Sequence, residues 1–268
     1  MSRWQAYLPT VVVALCASSA IALLQLPNLQ KLTDSTDVVS QDELVQKVEQ
    51  ENLRLDLWEK LTTLGFANLM ADWMFLNFLQ YFGDEESRRR TGYALSPDYF
   101  ETILSKDPYF WDAYLFLPGS ATMYAAMPER TIEIMEKYLP KLSPKTPDRA
   151  YFIWRWKATD ELLFLDDVDA AIKSYQTAAD WASEYNTAEG QVVNQISLQA
   201  AEFLKENPAN KVVQINAWMS VYANAFDDVA RELAIKNIRS LGGEVTLDDN
   251  GRIVEVKPPE GQEIQSSP

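Results

Sequence analysis

The stretch that decides the fold covers residues 166–178 and reads Asp-Asp-Val-Asp-Ala-Ala-Ile-Lys-Ser-Tyr-Gln-Thr-Ala. Within it, Ala171, Tyr175 and Ala178 stand at positions i, i+4 and i+7, which lie on one face of an α-helix. Along that face a small side chain is followed by a large one and then by another small one. It therefore predicts a helix that packs closely against a neighbour around one aromatic ring.

A matching pair of residues precedes this helix, because Trp154 and Ala158 stand at i and i+4 on the segment before it. This region resembles one tetratricopeptide repeat (TPR), which has an aromatic and a small residue on its first helix, then a turn, then small and aromatic residues on its second helix. Here the turn is acidic and the second helix reads Ala-x3-Tyr-x2-Ala. The sequence departs from that pattern in two places: the gap from Trp154 to Ala171 is one residue longer, and Ser183 stands near the site of the closing proline. The resemblance implies helix-packing roles for Trp154, Ala158, Ala171, Tyr175 and Ala178.

Partial matches extend the resemblance in both directions. Residues 106–114 resemble the junction between two repeats, where a proline closes one unit and the next helix opens. Residues 212–226 and 227–241 resemble a third, degenerate helix pair. The resemblance implies an all-α fold, with a TPR-like antiparallel helical-repeat array over residues 96–240.

Three segments carry the same helix-start signature. Pro97, Pro128 and Pro147 are each followed by an acidic residue. Proline is tolerated at the first helical position, and an acid there suits the helix dipole. We therefore predict helices that begin at these prolines.

Residues 41–95 hold two helix patterns ahead of the predicted repeats. Residues 40–43, Ser-Gln-Asp-Glu, form a capping box before an amphipathic stretch. Residues 66–82 are apolar almost throughout, which indicates either a buried core helix or a second transmembrane helix. The core helix is favoured, because a membrane helix would place Asp72 and several amides in hydrocarbon.

The C-terminal segment over residues 241–257 alternates in the manner of a β-hairpin. Residues 244–247 and 252–256 flank Asp-Asp-Asn-Gly, a strong turn sequence. An isolated hairpin is marginal in water, so we expect it to pack on the last helices. The proline-rich tail over residues 258–268 is predicted to be disordered.

The N-terminal segment over residues 1–30 is predicted to be a short stub and a membrane anchor. Residues 7–26 contain no charge over 20 residues, enough for a helix to cross about 30 Å of hydrocarbon. Signal-peptide cleavage near Ala20 is the alternative, although the apolar run continues past it. Lipidation at Cys16 is disfavoured by Leu15. A polar linker follows over residues 31–40.

The charge distribution predicts the topology. The chain carries 24 Lys+Arg and 39 Asp+Glu, for a net charge of −15, of which +2 lies up to Lys31 and −17 beyond it. Positive residues stay on the cytoplasmic side, so we expect a single-pass protein with a cytoplasmic N-terminus and a periplasmic or thylakoid-lumenal body. Nucleic acid is not an expected partner, since phosphate binding needs clustered Lys and Arg.

Composition also narrows the chemistry. The chain has no histidine and a single cysteine, which excludes the Ser-His-Asp triad, the Cys-His dyad and His- or Cys-based metal sites. No cofactor or metal is predicted, and the chain is not expected to be an enzyme. A hydrolase that uses two carboxylates is the catalytic alternative, although the clusters at residues 166–169 and 248–249 lie in turns.

Candidate binding residues are the aromatics and cations that a helical array could present in a concave groove: Tyr114, Trp154, Arg155 and Trp156. Trp154 and Trp156 cannot face the same way on one helix, so one is expected to be exposed. The run Arg88-Arg89-Arg90 follows three acids and predicts a self-neutralising segment, with capture of an acidic partner or a lipid phosphate as the alternative.

Taken together, the anchor and the helical body resemble bacterial, including cyanobacterial, membrane-anchored TPR proteins. The resemblance implies a scaffold or adaptor that binds other proteins, and we expect it to assemble or stabilise a membrane complex. A secreted ligand-binding protein, released by signal cleavage, is the remaining alternative.

Overall fold

The computed structural model describes residues 41–206, 211–225, 228–248 and 251–259, together with four isolated positions at 18, 19, 23 and 25. Contacts divide the chain into two compact units, residues 1–43 and 44–268, and the fold below is that of the second. The predicted anchor, linker and most of the predicted tail lie outside the described residues, apart from those isolated positions. Among the helices described, none combines the length and apolar character needed to cross a membrane.

The described residues are mostly helical, with eleven α-helices, a π-helix, a short 3-10 helix and one two-stranded antiparallel sheet. The prediction of a largely α-helical protein with a small C-terminal hairpin is confirmed. The elements in chain order are α1 (Gln41–Lys60), α2 (Ala67–Gly83), α3 (Glu85–Thr91), α4 (Ser96–Lys106), α5 (Trp111–Leu117), the π-helix (Pro118–Tyr124), α6 (Pro128–Tyr138), the 3-10 helix (Leu139–Lys141), α7 (Tyr151–Leu163), α8 (Val168–Ser183), α9 (Ala188–Glu206), α10 (Lys211–Asn224), α11 (Asp228–Ser240), β1 (Glu244–Leu247) and β2 (Ile253–Lys257).

Two of the three proline starts are confirmed, since Pro97 and Pro128 lie in the first turns of α4 and α6. The third prediction is wrong. Ser143 and Thr146 exchange two backbone hydrogen bonds of 3.0 Å, which close a tight turn, and Arg149 adopts a left-handed φ of 57°. Helix α7 therefore begins only at Tyr151, beyond this turn.

An aromatic core joins α2 to α4 and α5. Phe78 of α2 is fully buried, and its ring centroid lies 4.5 Å from that of Phe100 and 5.9 Å from that of Tyr99. Phe75 reaches Phe110 at 5.1 Å, just before α5. Tilted and edge-on ring pairs each add about 0.5–1.5 kcal/mol beyond the area they bury, so α2 is held firmly along one face.

Helices α7, α8 and α9 pack side by side in chain order. Trp154 meets Trp181 edge-on at 5.7 Å, and Ser174 donates to Glu161 at 2.6 Å, which is the pairing of two antiparallel helices. Arg155 donates to Ser197 at 2.7 Å and links α7 to α9, which runs parallel to it. The three alanines predicted to pack here, Ala158, Ala171 and Ala178, are fully buried.

Helix α10 does not continue this row. Its main contacts beyond α11 are with the π-helix and α7. Trp218 packs edge-on against Phe164 at 5.4 Å, and Gln214 donates to the carbonyl of Leu162 at 3.0 Å. Because these groups draw α10 back onto α7, exposed apolar residues remain along α9, namely Val192, Ile196, Leu198 and Phe203.

The C-terminal hairpin packs on the last two helices, as expected. Val245 lies opposite Val256, and a register shift follows Thr246. The backbone N–H of Ile253 donates to the hydroxyl of Tyr222 at 3.1 Å. The hairpin is therefore stabilised by α10 and α11 rather than by its own two strands.

Candidate interaction surface

Helix α2 is apolar on two opposite faces. Its inner face is formed by Ala71, Met74 and Phe78, which follow at i, i+3 and i+7 and are fully buried. This face explains why the segment forms a helix that packs on α4. The prediction that residues 66–82 form a buried core helix holds for this face alone.

The outer face of α2 is formed by Leu69, Trp73 and Leu76, with Phe66 directly before the helix. Leu69 is 64% exposed, Trp73 55% and Leu76 53%. Residues at i, i+4 and i+7 share a side of a helix, so these large side chains form one continuous stripe. A helix that is apolar all round is normally covered on every side, and an exposed apolar patch of this kind marks an interaction site.

The outer face carries little charge. Asp72 is the one ionisable side chain among the seventeen residues of α2 besides the phenol of Tyr81, and the helix contains no Lys or Arg. Two residues of α5, Leu115 and Phe116, are also apolar and exposed. Phe116 contacts Phe75 at 5.6 Å between ring centroids, which joins α5 to α2.

Of the four predicted binding residues, Tyr114 is fully buried and Trp154 is half-buried against another ring. Tyr114 is fully buried, its hydroxyl donates to the carbonyl of Pro108 at 2.9 Å, and burial raises its pKa well above the usual range. Trp154 packs against Trp181, and its indole nitrogen is buried with no hydrogen-bond partner in the described part of the chain. The ring of Tyr114 therefore presents no surface on which a partner could stack.

The other two predicted residues are half-buried on α7, as Trp154 is, so the expectation that one of the two tryptophans is exposed is wrong. Trp156 lies 5.4 Å from Trp111 and is stacked on Phe152 at 6.3 Å, so its ring joins an aromatic cluster on the side of α7 opposite Trp154. Arg155 lies over the ring of Tyr175 at 5.7 Å and donates to Ser197, which makes it a bridge between α7, α8 and α9. The structure does not bring the four predicted residues into one groove.

A buried polar network lies where α7 meets the π-helix and α6. Asp160 is only 4% exposed, and its carboxyl accepts from the hydroxyl of Thr122 at 2.6 Å. Thr122 in turn lies 2.9 Å from the hydroxyl of Thr131. Burial raises the pKa of Asp160 to about 7, with a further rise from Glu161 and an opposing effect from Thr122. The π-helix supplies Thr122, in keeping with the frequent place of such helices at special sites.

The neighbouring carboxylate, Glu161, is fully engaged. It accepts from the buried ammonium of Lys157 and from Ser174 at 2.6 Å, and Lys157 also lies 3.4 Å from the exposed Glu136. A buried ion pair of this kind needs such extra hydrogen bonds, because removing two charges from water is costly. The two adjacent acids of α7 thus have different partners: Glu161 lies against an ammonium and a hydroxyl, and Asp160 against a hydroxyl.

The acidic turn before α8 is structural in this arrangement. Asp167 caps α8 by accepting from the backbone N–H of Ala170 at 2.9 Å. Burial alone would raise the pKa of Asp166, but hydrogen bonds from Lys211 and Gln214 outweigh that effect and lower it. Over the described ranges, no group of three His, Cys, Asp or Glu side chains is arranged to hold a metal ion.

Comparison of the chain with protein-family models, with curated proteins and with solved structures finds no match. The function is therefore inferred from the residues and their geometry. The outer face of α2 is the surface on which that inference rests.

Sequence reasoning missed the outer face as a site, although its signal is present. The segment over residues 66–82 contains two apolar stripes, one through Met74 and one through Trp73, and only one side of a helix can meet a single neighbouring core. The network of Asp160 left no such signal, because an aspartate beside a glutamate on a helix resembles an ordinary solvated acid.

Proposed function

We propose that this protein is a membrane-anchored helical scaffold that binds another protein through the outer face of α2. Its role would be to assemble or stabilise a membrane complex. The observation that carries the proposal is the exposure of Leu69, Trp73 and Leu76 on a helix whose opposite face is firmly packed. Aromatic and aliphatic side chains on a pre-formed helix are the usual anchors of helix-in-groove recognition.

The chemistry of this surface favours a protein over a lipid surface. Helices that lie on membranes combine an apolar face with Lys and Arg on the polar face, whereas α2 has neither cation. It is followed by Asp84, Glu85 and Glu86, and the chain beyond Lys31 carries a net charge of −17. An anionic membrane surface would repel such a body. The expected partner presents an apolar groove or helix face with few acidic residues.

The TPR-like part of the proposal is supported by α7, α8 and α9. An antiparallel pair with a Trp–Trp contact and buried alanines, followed by a helix parallel to the first, agrees with the packing that the resemblance implies. The course of α10 departs from it. We therefore propose one TPR-like unit with the first helix of a second, within a bundle of other helices.

The membrane part of the proposal rests on the sequence of residues 7–26 and on the charge difference across it. An uncleaved anchor would leave the N-terminus in the cytoplasm and the body on the periplasmic or thylakoid-lumenal side. A body held close to the membrane would meet partners of the same membrane without a search through solution.

Co-purification from detergent-solubilised membranes tests the surface. The tagged full chain is compared with Trp73→Gln and with Val229→Gln, a matched control in which an exposed apolar residue of α11 is replaced. Truncation of a central aromatic anchor costs about 2 kcal/mol or more, a roughly thirtyfold loss of affinity. We expect one protein to be enriched with the wild type and the control and to be strongly reduced with Trp73→Gln.

Both variants should keep the melting temperature of the wild type, because each removes an exposed side chain. Equal recovery of every associated protein with Trp73→Gln and Val229→Gln would contradict the proposal. Loss of binding in both variants would also contradict it, since the surface would then have no special role.

A further inference from the structure

A cleft separate from the outer face lies where α1 crosses α2 and α3. Its volume is about 490 Å³, within the range of small-molecule sites. Residues of α1, including Lys47, Glu51 and Arg54, form one wall, and Tyr81 and Arg88 form the opposite one. The cleft is therefore built mainly from residues of helices.

Arg88 is buried in this wall without a counter-ion. It is only 7% exposed, its Nη1 donates to the carbonyl of Gly92 at 3.1 Å, and its guanidinium lies 4.0 Å over the ring of Tyr81. Its Nε is buried with no hydrogen-bond partner, and no Asp or Glu of the described residues forms an ion pair with it. A buried charge left in this state is costly, so a ligand anion that pairs with it is stabilised.

The neighbouring Arg89 is paired with an acidic residue, as the sequence predicts. Arg89 forms an ion pair with Glu85 one turn earlier on α3, on the exposed side of the helix. The prediction of a self-neutralising segment thus holds for Arg89 and is wrong for Arg88, which turns inward instead. The difference leaves one positive charge without an anionic partner among the described residues inside the cleft wall.

The charges that line the cleft do not cancel. Three cations, Lys47, Arg54 and Arg88, face two carboxylates, Glu51 and Asp84, for a net charge of 3 − 2 = +1 in a chain whose net charge is −15. Both carboxylates are engaged: Glu51 accepts from Arg54 at 2.6 Å and from the hydroxyl of Tyr99, and Asp84 caps α3 through Ser87. Lys47 makes no ion pair within the described residues.

The remaining lining is partly apolar and partly polar, with uncharged polar side chains at Gln50, Asn77, Gln80 and Ser87. Leu44 and Val48 of α1 and Leu95 before α4 add hydrocarbon surface, and the rings of Tyr81 and Tyr99 add two aromatic faces. A ligand that fits this lining carries a single negative charge on an aromatic or aliphatic body that can also form a hydrogen bond, as an amide does.

We propose that this cleft binds a small organic carboxylate, whose anionic group pairs with Arg88 and Lys47 while its body packs on Tyr81, Tyr99 and the aliphatic wall. A carboxylate is favoured over a phosphate monoester, because the surplus of one positive charge matches a monoanion and the fixed carboxylates would repel a dianion. This site is independent of the partner-binding role of α2.

Isothermal titration of the full chain in detergent at pH 7 tests the site with three probes of similar size: hippurate, the neutral hippuramide and phenyl phosphate. We expect saturable binding of hippurate, with hippuramide and phenyl phosphate at least about tenfold weaker, since a charge-assisted hydrogen bond contributes about 1.5–3 kcal/mol. A higher salt concentration should weaken the binding of hippurate and leave the affinity for hippuramide unchanged.

Variants locate the site. Arg88→Gln should weaken hippurate at least about tenfold, whereas Arg89→Gln, on the exposed side of the same helix, should bind as the wild type does. Lys47→Gln replaces an exposed side chain, so it should leave the fold intact and weaken the binding of hippurate severalfold. This second variant keeps the test valid if the Arg88→Gln protein does not fold. Absence of hippurate binding, equal binding of hippuramide, tighter binding of phenyl phosphate, or unchanged affinity in Lys47→Gln would each overturn the proposal.

Discussion

Asp160 is a single residue whose surroundings decide its charge. Its carboxyl lies between α7, the π-helix and α6, where Thr122 is its hydrogen-bond donor and Glu161 is the nearest like charge. Lys157 does not offset it, because its ammonium is taken by Glu161 and Glu136. The protonated acid is therefore the form that this site favours at mildly acidic pH.

The pH dependence of stability follows from this shift. The pKa of about 7 in the folded protein is above the unfolded value of 3.8, so the folded state binds the proton more tightly. Stability gained in this way is present at low pH and is lost as pH rises towards 7. The free energy of unfolding should be about 2–3 kcal/mol higher at pH 5 than at pH 8 from this group alone.

Denaturant unfolding of the full chain in detergent measures this difference. Asp160→Asn keeps the size and the hydrogen-bonding capacity of the side chain, so it should remove most of the slope between pH 5 and 8 and be the more stable form at pH 8. Glu101 and Asp166, whose pKa values are lowered, would lose stability only at more acidic pH. A wild-type slope that persists in Asp160→Asn would show that another group causes it.

The sequence predicts the burial of some residues and not of others. Ala158, Ala171 and Ala178 are buried as their spacing predicts, because spacing reports which residues share a helix face. Asp160 and Arg88 could not be placed in this way. Whether a polar side chain turns inward depends on groups of other helices, such as Thr122 for Asp160 and Tyr81 for Arg88.

At the scale of the elements, α8 and α9 come unusually close at one glycine. A Cβ atom on Gly190 would lie 2.6 Å from Cβ of Tyr185 and 3.0 Å from the carbonyl oxygen of Ala182. Tyr185 itself is fixed, since its hydroxyl accepts from the backbone N–H of Arg149 at 2.8 Å. The start of α9 therefore depends on the absence of a side chain at residue 190.

Gly190→Ala should destabilise the protein by about 1–3 kcal/mol, the usual cost of overpacking a close contact. Gly83→Ala is the matched control: no atom lies within 4 Å of its added methyl group, so it should be neutral or slightly stabilising. Thermal unfolding followed by circular dichroism measures both. A Gly190→Ala protein as stable as Gly83→Ala would mean that α8 and α9 are less closely packed than described.

Some secondary-structure elements can be predicted from the sequence, and the way they pack together cannot. The helices and the hairpin can be predicted, because proline starts, turn residues and apolar periodicity are local signals. The turn before α7 and the return of α10 to α7 cannot, since each also involves contacts between distant residues, such as Tyr185 with Pro144 and Gln214 with Leu162. A repeat pattern predicts a regular row of helices only while each helix meets its neighbour in sequence.

At the scale of the whole molecule, the described residues combine a firmly packed aromatic core with a helix, α2, whose unpacked side is also apolar. The acidic character of the chain beyond Lys31 favours a protein partner with a complementary apolar surface over a lipid surface. If the segment over residues 7–26 is an anchor, it would bring this surface next to other proteins of the same membrane. The central claim is therefore that the outer face of α2 contacts another protein.

Site-specific photo-crosslinking in native membranes tests that claim most directly. The photoreactive amino acid p-benzoylphenylalanine replaces Trp73 on the outer face. In the control protein, p-benzoylphenylalanine replaces the exposed Glu202 of α9 instead. We predict a discrete adduct at residue 73, larger than the chain by the mass of a second, different protein, and no such adduct at residue 202. No adduct at residue 73, the same adducts at both positions, or a product that contains only this chain or lipid would contradict the account.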